Sequence, residues 1–263
     1  MKKIHQTAIV DSQAHIGDEV EIGPYSIVGA EAIIGAKCVI QSHVVIEGSV
    51  RMGTENFIGH GSILGSQPQD LGFQAQTKSE IEIGNDNVIR EHCTIHRGAT
   101  EGSATVVGNG NFLMVGAHLG HDCRIGNGVV IANNCLLAGH VRIDDGVFVG
   151  GGSRFHQNIR IGRLAMVEGR FTKNLPPFVI AAKNHVFGVN ILGLRRAGLS
   201  PAERDEIKRG FKLLYKSGLN TKQALEKAAE SEFGAAGREF FDFVAEAGKR
   251  GIVSYSADPE GED

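Results

Sequence analysis

His121, His140 and His156 recur at nearly equal intervals, and His118 lies just ahead of the first of them. An uncharged imidazole is the usual general base near neutral pH. Three imidazoles can also hold zinc, and polar rings can equally be satisfied at a subunit interface. A histidine base with no protein nucleophile suits direct transfer of an activated acyl group to a hydroxyl or an amine. A backbone N–H can then receive the tetrahedral oxyanion, and Gly139, in the turn beside His140, could present one. No G-x-x-x-x-G-K-[ST] loop is present, so phosphate-loop nucleotide hydrolysis is not indicated. No G-x-S-x-G elbow is present either, which removes the serine-hydrolase signal. The four cysteines form no C-x-x-C pair, so a cysteine zinc site is not supported.

The elements that must position these groups follow from a beat of six. An apolar residue, nearly always aliphatic, recurs at every sixth place from Ile4 to Leu64, and again from Ile83 to Val167, where Glu101 alone is polar. An amphipathic helix needs apolar offsets of three and four, and a plain strand needs alternation. A short strand followed by a turn fits the period, and three such units close one triangular coil of a solenoid. Coils stack at the strand-pairing distance of ~4.8 Å. One coil then spans three beats, so His121, His140 and His156 fall on successive coils near one edge of the prism. The residue four places after the aliphatic one should be small and buried. Cys38, Cys93, Cys123 and Cys135 all occupy that place and read as interior fillers. The other histidines, including His92 and His96, read as surface or interface residues.

The chain has 263 residues, 36 glycines and a formal charge of -3. The glycines lack a three-residue period, which excludes collagen. The near-neutral charge argues against a nucleic-acid protein. No apolar stretch is long enough for a membrane helix, so an integral membrane protein is not expected. The start enters the first repeat without an apolar leader, which makes the cytoplasm the expected location.

The beat breaks in two places, near residues 65–80 and 97–105, and inserted loops on solenoids often carry function. Residues 1–190 read as the solenoid, with a connecting stretch over 170–190 that contains Pro176 and Pro177. Residues 191–263 read as a small helical domain. Ser200, Pro201 and Glu203 form a helix start, and further helices are expected from Asn220 or Thr221 and around Phe240, Phe241 and Val244. The last dozen residues look frayed. Between Arg195 and Lys216 there are seven basic and three acidic residues, either a solvated helix face or a dock for an acidic partner. The sides around residues 92–140 carry few long charges, which favours side-by-side association, and a cyclic trimer suits a triangular prism.

Several stretches resemble the acyl-[acyl-carrier-protein]:UDP-N-acetylglucosamine O-acyltransferases. They include Gln69-Asp70-Leu71, Ile95-His96-Arg97-Gly98, Ala117-His118-Leu119-Gly120-His121-Asp122-Cys123, Leu137-Ala138-Gly139-His140, His156-Gln157, Pro176-Pro177 and Phe187-Gly188-Val189-Asn190. The resemblance implies an all-β left-handed parallel β-helix with a small C-terminal α-helical domain. It implies transfer of a 3-hydroxyacyl group from acyl carrier protein to the 3-hydroxyl of UDP-N-acetylglucosamine, the first step of lipid A biosynthesis. It implies no bound cofactor, since the donor carries the phosphopantetheine, and sites that lie between the subunits of a homotrimer. His121 matches the general base, Asp70 the carboxylate that orients it, and Gly139 the oxyanion donor. Gln69, His118, His140, His156 and Gln157 match residues that bind the sugar nucleotide or the phosphopantetheine arm. Asn190 and Arg196 match groove-lining residues, and Gly169 matches a position that sets acyl length. No metal is implied.

Gly72 stands where the family often has lysine, Leu192 where it has an acid, and Ala197 where it has a second basic residue; the stretch 169–176 is also slightly short. Gly72, Leu192 and Ala197 resemble relatives that acylate a 3-amino sugar nucleotide, so amide formation is the alternative reading. A non-catalytic binding or scaffold solenoid is the alternative of another class.

Overall fold

The computed structural model describes residues 1–257 of the chain. Strands of two to five residues wind into a three-sided prism, with largely parallel sheets of 12, 9 and 8 strands as its faces. The residues that keep the beat point inward, and from Ile22 to Val167 those that are aliphatic are almost wholly shielded from water. Apolar burial of about 25 cal/mol per Å² along this column is the main source of stability. All four cysteines are fully buried in it, as expected. Burial raises the Cys93 thiol to about 11 and the Cys123 thiol to about 12, so both stay protonated at neutral pH.

The residue just before each beat position points outward, and the sheet registers stack these residues into ladders. On the 12-stranded face the ladder from Phe57 runs through Val88, Phe112, Val130, Phe148 and Met166 to Ile180. The nine-stranded face begins Ile9, Ile27, Val45, Ile63 and turns polar at Thr94 and His118. The eight-stranded face carries Arg51, Glu82, Arg124, Arg142 and Arg160. Two faces are therefore apolar over much of their length, and one is charged.

Both breaks in the beat fall on the corner between the nine- and eight-stranded sheets. The first lies between the strands Ile63–Ser66 and Glu80–Ile83, the second between Thr94–His96 and Ala104–Val107. The turns at 120–123, 138–141 and 156–159 stack on the same corner above them. The period thus does bring His121, His140 and His156 to one edge.

After Pro176 and Pro177 the chain forms the hairpin Val179–Ala182 and His185–Val189, then four helices. These are α1 (Ile191–Arg196), α2 (Pro201–Tyr215), α3 (Thr221–Ala229) and α4 (Ala235–Ala245). Capping boxes open α2 at Ser200–Glu203 and α3 at Asn220–Gln223; such a cap stabilises a helix by about 1 kcal/mol. Arg163 forks onto Glu239 of α4 with two 2.8 Å bonds. Arg160 bonds Glu246 and stacks on Phe243. These contacts tie the helices to the charged face. The chain end is not frayed from residue 252: Val253 is buried, and Ser254–Tyr255 pairs with the hairpin strand His185–Val189. Tyr215 and Phe211 hold Tyr255 there through ring contacts. Residues 258–263 lie outside the described residues. No helix among the described residues is long and apolar enough to cross a membrane.

Candidate active site

His121 sits in the turn between the strands His118–Leu119 and Arg124–Ile125 and is 7% exposed. Its Nδ1 lies 2.8 Å from Oδ2 of Asp122. Asp122 has a positive φ of 59°, and this left-handed turn lets two consecutive side chains face each other, which neither a helix nor a strand permits. Burial alone would push the Asp122 carboxyl up. Hydrogen bonds from His121, Ser103 and the Ala99 N–H, with the nearby His140, outweigh that effect and hold it below its ordinary value. The carboxylate is then an acceptor only, so Nδ1 carries the hydrogen and Nε2 is left with its lone pair.

The Nε2 edge of the ring lies over Gly139. A Cβ placed on that glycine would run into Nε2 and Cε1; only glycine leaves room for the ring. Among the described residues no group accepts from the Gly139 N–H, whereas the neighbouring Ala138 N–H bonds Phe155 and the His140 N–H bonds the His121 carbonyl. A basic nitrogen and an unused donor are therefore side by side. They face a groove of about 720 Å³ whose walls include Gln69, Thr94, His96, His118, Arg154 and Gln157.

His118 and His96 form a second pair of rings, edge to face at 5.2 Å. Nδ1 of His118 is 2.8 Å from the Thr94 hydroxyl. His96 donates from Nδ1 to the Gln67 carbonyl at 2.6 Å, which pins the start of the first insert to the groove. Burial, then the charge of His96, pushes the His118 imidazole below its ordinary 6.5.

The groove brings together five of the expected residues: Gln69, His118, His121, Gly139 and Gln157. The others lie elsewhere. Asp70 is exposed at the insert's tip, and its carboxylate accepts from the Gly72 N–H at 2.7 Å. The carboxylate hydrogen-bonded to His121 is Asp122, where the motif points to Asp70. His140 is exposed, with its ring 5.0 Å from that of His121; it also lines a smaller cavity of about 340 Å³ against α4. His156 is exposed and outside the groove's lining.

Asn190 is a buried helix cap. Its Oδ1 accepts from Gly193 and its Nδ2 donates to the Leu164 carbonyl, so it does not line the groove through a free amide. Arg196 is exposed at the end of α1. Gly169 has a φ of 119°, and a Cβ there would press on the Lys183 backbone at 3.1 Å; local backbone geometry alone requires glycine. Sequence reasoning singles out neither Asp122 nor Thr94, and it leaves His96 as an interface residue. Asp122 stands beside His121 in the chain, and the signal that could have found it is the turn they share.

Donor atoms of His121, Asp122 and His140 all lie within 4.8 Å of one another, a spacing a metal could bridge. In this structure Nδ1 of His121 and Oδ2 of Asp122 are hydrogen-bonded to each other.

Comparisons with known proteins bear on this site. A family model described as UDP N-acetylglucosamine O-acyltransferase, domain 2, matches residues 175–253, and a bacterial transferase hexapeptide model matches residues 104–139. The acyl-[acyl-carrier-protein]–UDP-N-acetylglucosamine O-acyltransferase of Burkholderia lata is 45% identical over 263 residues, covering 96% of this chain and 100% of the relative. Among solved structures, that of LpxA from Acinetobacter baumannii is 40% identical with a TM-score of 0.88, covering 95% of this chain and 99% of the other. The UDP-N-acetylglucosamine acyltransferase of Francisella novicida is 35% identical with a TM-score of 0.92, covering 98% of this chain and 95% of the other. The prism is the left-handed parallel β-helix of these enzymes, the solenoid expected from the repeat with the hand implied by the resemblance. The chain belongs to the family of acyl-[acyl-carrier-protein]–UDP-N-acetylglucosamine O-acyltransferases.

Proposed function

We propose that this enzyme transfers an acyl group from acyl carrier protein to UDP-N-acetylglucosamine, the first step of lipid A biosynthesis, with His121 as general base. The observation that carries the mechanism is His121 Nε2 lying against Gly139 with its N–H unused. His121 takes the proton of the acceptor's 3-hydroxyl as that oxygen attacks the thioester carbonyl. The carbonyl oxygen becomes an oxyanion, and the Gly139 N–H donates to it. Collapse breaks the carbon–sulfur bond. The sulfur of the phosphopantetheine arm leaves, and the imidazolium returns the proton to it. Asp122 supports the transient imidazolium and fixes its tautomer.

Gln69, His118 and Gln157 line the groove, which supports reading them as binding the acceptor or the arm of the donor. His140 and His156, on the same corner, extend that surface. Asp70, at the tip of the first insert, is available to an acceptor at the groove mouth. Arg196 and the basic face of α2 are the proposed dock for the acidic carrier protein. The donor is read as a 3-hydroxyacyl chain, with the stretch around Gly169 as its distal limit.

The outward ladders support a trimer. An apolar 12-stranded face against a neighbour's nine-stranded face is a head-to-tail contact, and three such contacts close around a threefold axis. The groove opens on the nine-stranded side, so each site would lie between two subunits. Light scattering should give three times the chain mass of 28.1 kDa.

The test is a competition assay with equal UDP-N-acetylglucosamine and its 3-amino analogue, a 3-hydroxyacyl carrier protein and mass analysis of products. An ester of the N-acetyl sugar as the main product supports the reading. Preference for the amine by ~100-fold, about 2.7 kcal/mol of discrimination, would move the reaction to amide formation. A Cβ at Gly72 would meet only the Asp70 carboxylate, at 3.3 Å, so the absence of lysine there is not a steric demand of the loop.

A further inference from the structure

In the stacked turns the third residue usually donates its N–H to a carbonyl of the coil beneath. On the active-site corner His140 N–H bonds the His121 carbonyl at 2.9 Å, and Asn158 N–H bonds the Gly139 carbonyl at 3.1 Å. Asp122 occupies the equivalent place one coil earlier. Beneath it lies the second insert, which displaces the carbonyl that a regular turn would supply. The Asp122 N–H instead donates to the Thr105 hydroxyl at 2.8 Å.

Thr105 is unusual for its position. It faces inward on the eight-stranded sheet and is fully buried. Register partners below it on that interior ladder are Ala32, Val50 and Ile81, all apolar. A buried hydroxyl carries a cost unless it is paired, and this one is paired to the backbone of the residue that holds His121.

We infer that Thr105 is a positioning residue for the general base: its hydroxyl, set in place by the second insert, fixes the left-handed turn that keeps the Asp122 carboxylate on His121. The inference rests on the reading of His121 as base. The same insert supplies the Ala99 N–H at 3.0 Å and the Ser103 hydroxyl to that carboxylate. The titratable groups that face Asp122 are His121 in its own turn, His140 from the coil above at 3.8 Å, and the Cys123 thiol beside it. Without the Thr105 bond the turn relaxes and the carboxylate withdraws from Nδ1. The imidazolium then loses its counter-charge, and the imidazole holds its proton less tightly.

The experiment compares Thr105→Val, Thr105→Ser and His121→Ala with the wild type in the full-length chain. Valine restores the apolar ladder, so the fold should persist, as circular dichroism and the elution volume will show. Thr105→Val should lower kcat by roughly 10-fold, a part of the ~10² to 10⁴ that a positioned base supplies, with KM little changed. Its acidic limb in the kcat/KM profile should move to lower pH, and Thr105→Ser should restore both rate and limb. A wild-type limb in a folded Thr105→Val variant would overturn the inference, as would a serine variant no better than valine. His121→Ala separates the two levels: if it keeps wild-type activity, the base assignment itself fails. If it is inactive while Thr105→Val behaves as wild type, only the role of Thr105 fails.

Discussion

The two inserts leave the prism at the same corner, one coil apart, yet they are built differently. The first, over 67–79, is largely exposed, and Leu71 at its tip is fully open to solvent. It is held by the His96 bond to Gln67, by Arg97 stacked on Phe73 at 5.4 Å, and at its end by Lys78, whose N–H donates to Glu101 at 2.9 Å and whose carbonyl accepts from Gly102 at 2.8 Å. The second, over 97–103, folds inward and, with Thr105 just after it, gives three groups to the single residue Asp122. A loop anchored at its ends with an open tip can adapt to a ligand. A loop whose donors converge on a carboxylate fixes one geometry. In the proposed reading the second insert serves the base and the first is left to serve the substrate.

Asp122→Asn breaks the comparison most severely. The amide can donate to His121 as well as accept from it, so the imidazole loses both its charge partner and its tautomer. The rate should fall by about 10², and the acidic limb of kcat/KM should move to lower pH. Asp70→Asn should reduce kcat/KM several-fold and leave that limb in place. If the limb moves for Asp70 and not for Asp122, the roles of the two inserts are reversed.

Gly139→Ala sharpens the comparison from the other side of the base. The new Cβ overlaps the His121 ring, so the ring must swing out of the groove although both inserts are untouched. A loss of roughly 10-fold or more in kcat is expected, with melting changed little. Full activity would mean the ring does not work from this position.

The smallest effect is on stability. Asp122 has its folded value depressed, so its contribution is present above the ordinary carboxylate range and is lost as pH falls through the folded value. His118 is depressed for the opposite charge reason, burial as a neutral ring. It binds a proton more readily when unfolded, so stability should decline as pH falls below about 6.5. His118→Gln should flatten that part of a melting-temperature profile without moving the Asp122 region.

Much of this is legible in the chain, and what is not has a physical cause. A period of six places His121, His140 and His156 on one corner because the coil length is fixed by three strands and three turns. The inserts hide what lies across them. Thr94 pairs with His118, a full beat further along the chain than one regular coil would put its partner, so counting places neither Thr94 nor His96 on the groove. Asp122 is hard to read because adjacent residues normally diverge, and the left-handed turn that reverses this leaves no mark in composition. Asn190 and Gly169 carry family positions that the local backbone already demands, a helix cap at one and a positive φ at the other. The helices at 201–215 and 221–229 are readable from their capping residues, whereas the strand Ser254–Tyr255 forms only because the hairpin offers it an edge.

The central claim is that His121, held by Asp122, removes the acceptor's proton. The most direct measurement is acyl transfer by His121→Ala at saturating donor and acceptor, with and without added imidazole, in metal-chelated buffer. A loss of ~10² to 10⁴ in rate, partial recovery with imidazole and no effect of the chelator on the wild type are the results expected. A His121→Ala variant that turns over at the wild-type rate, or a wild type silenced by the chelator and restored by zinc, would contradict it.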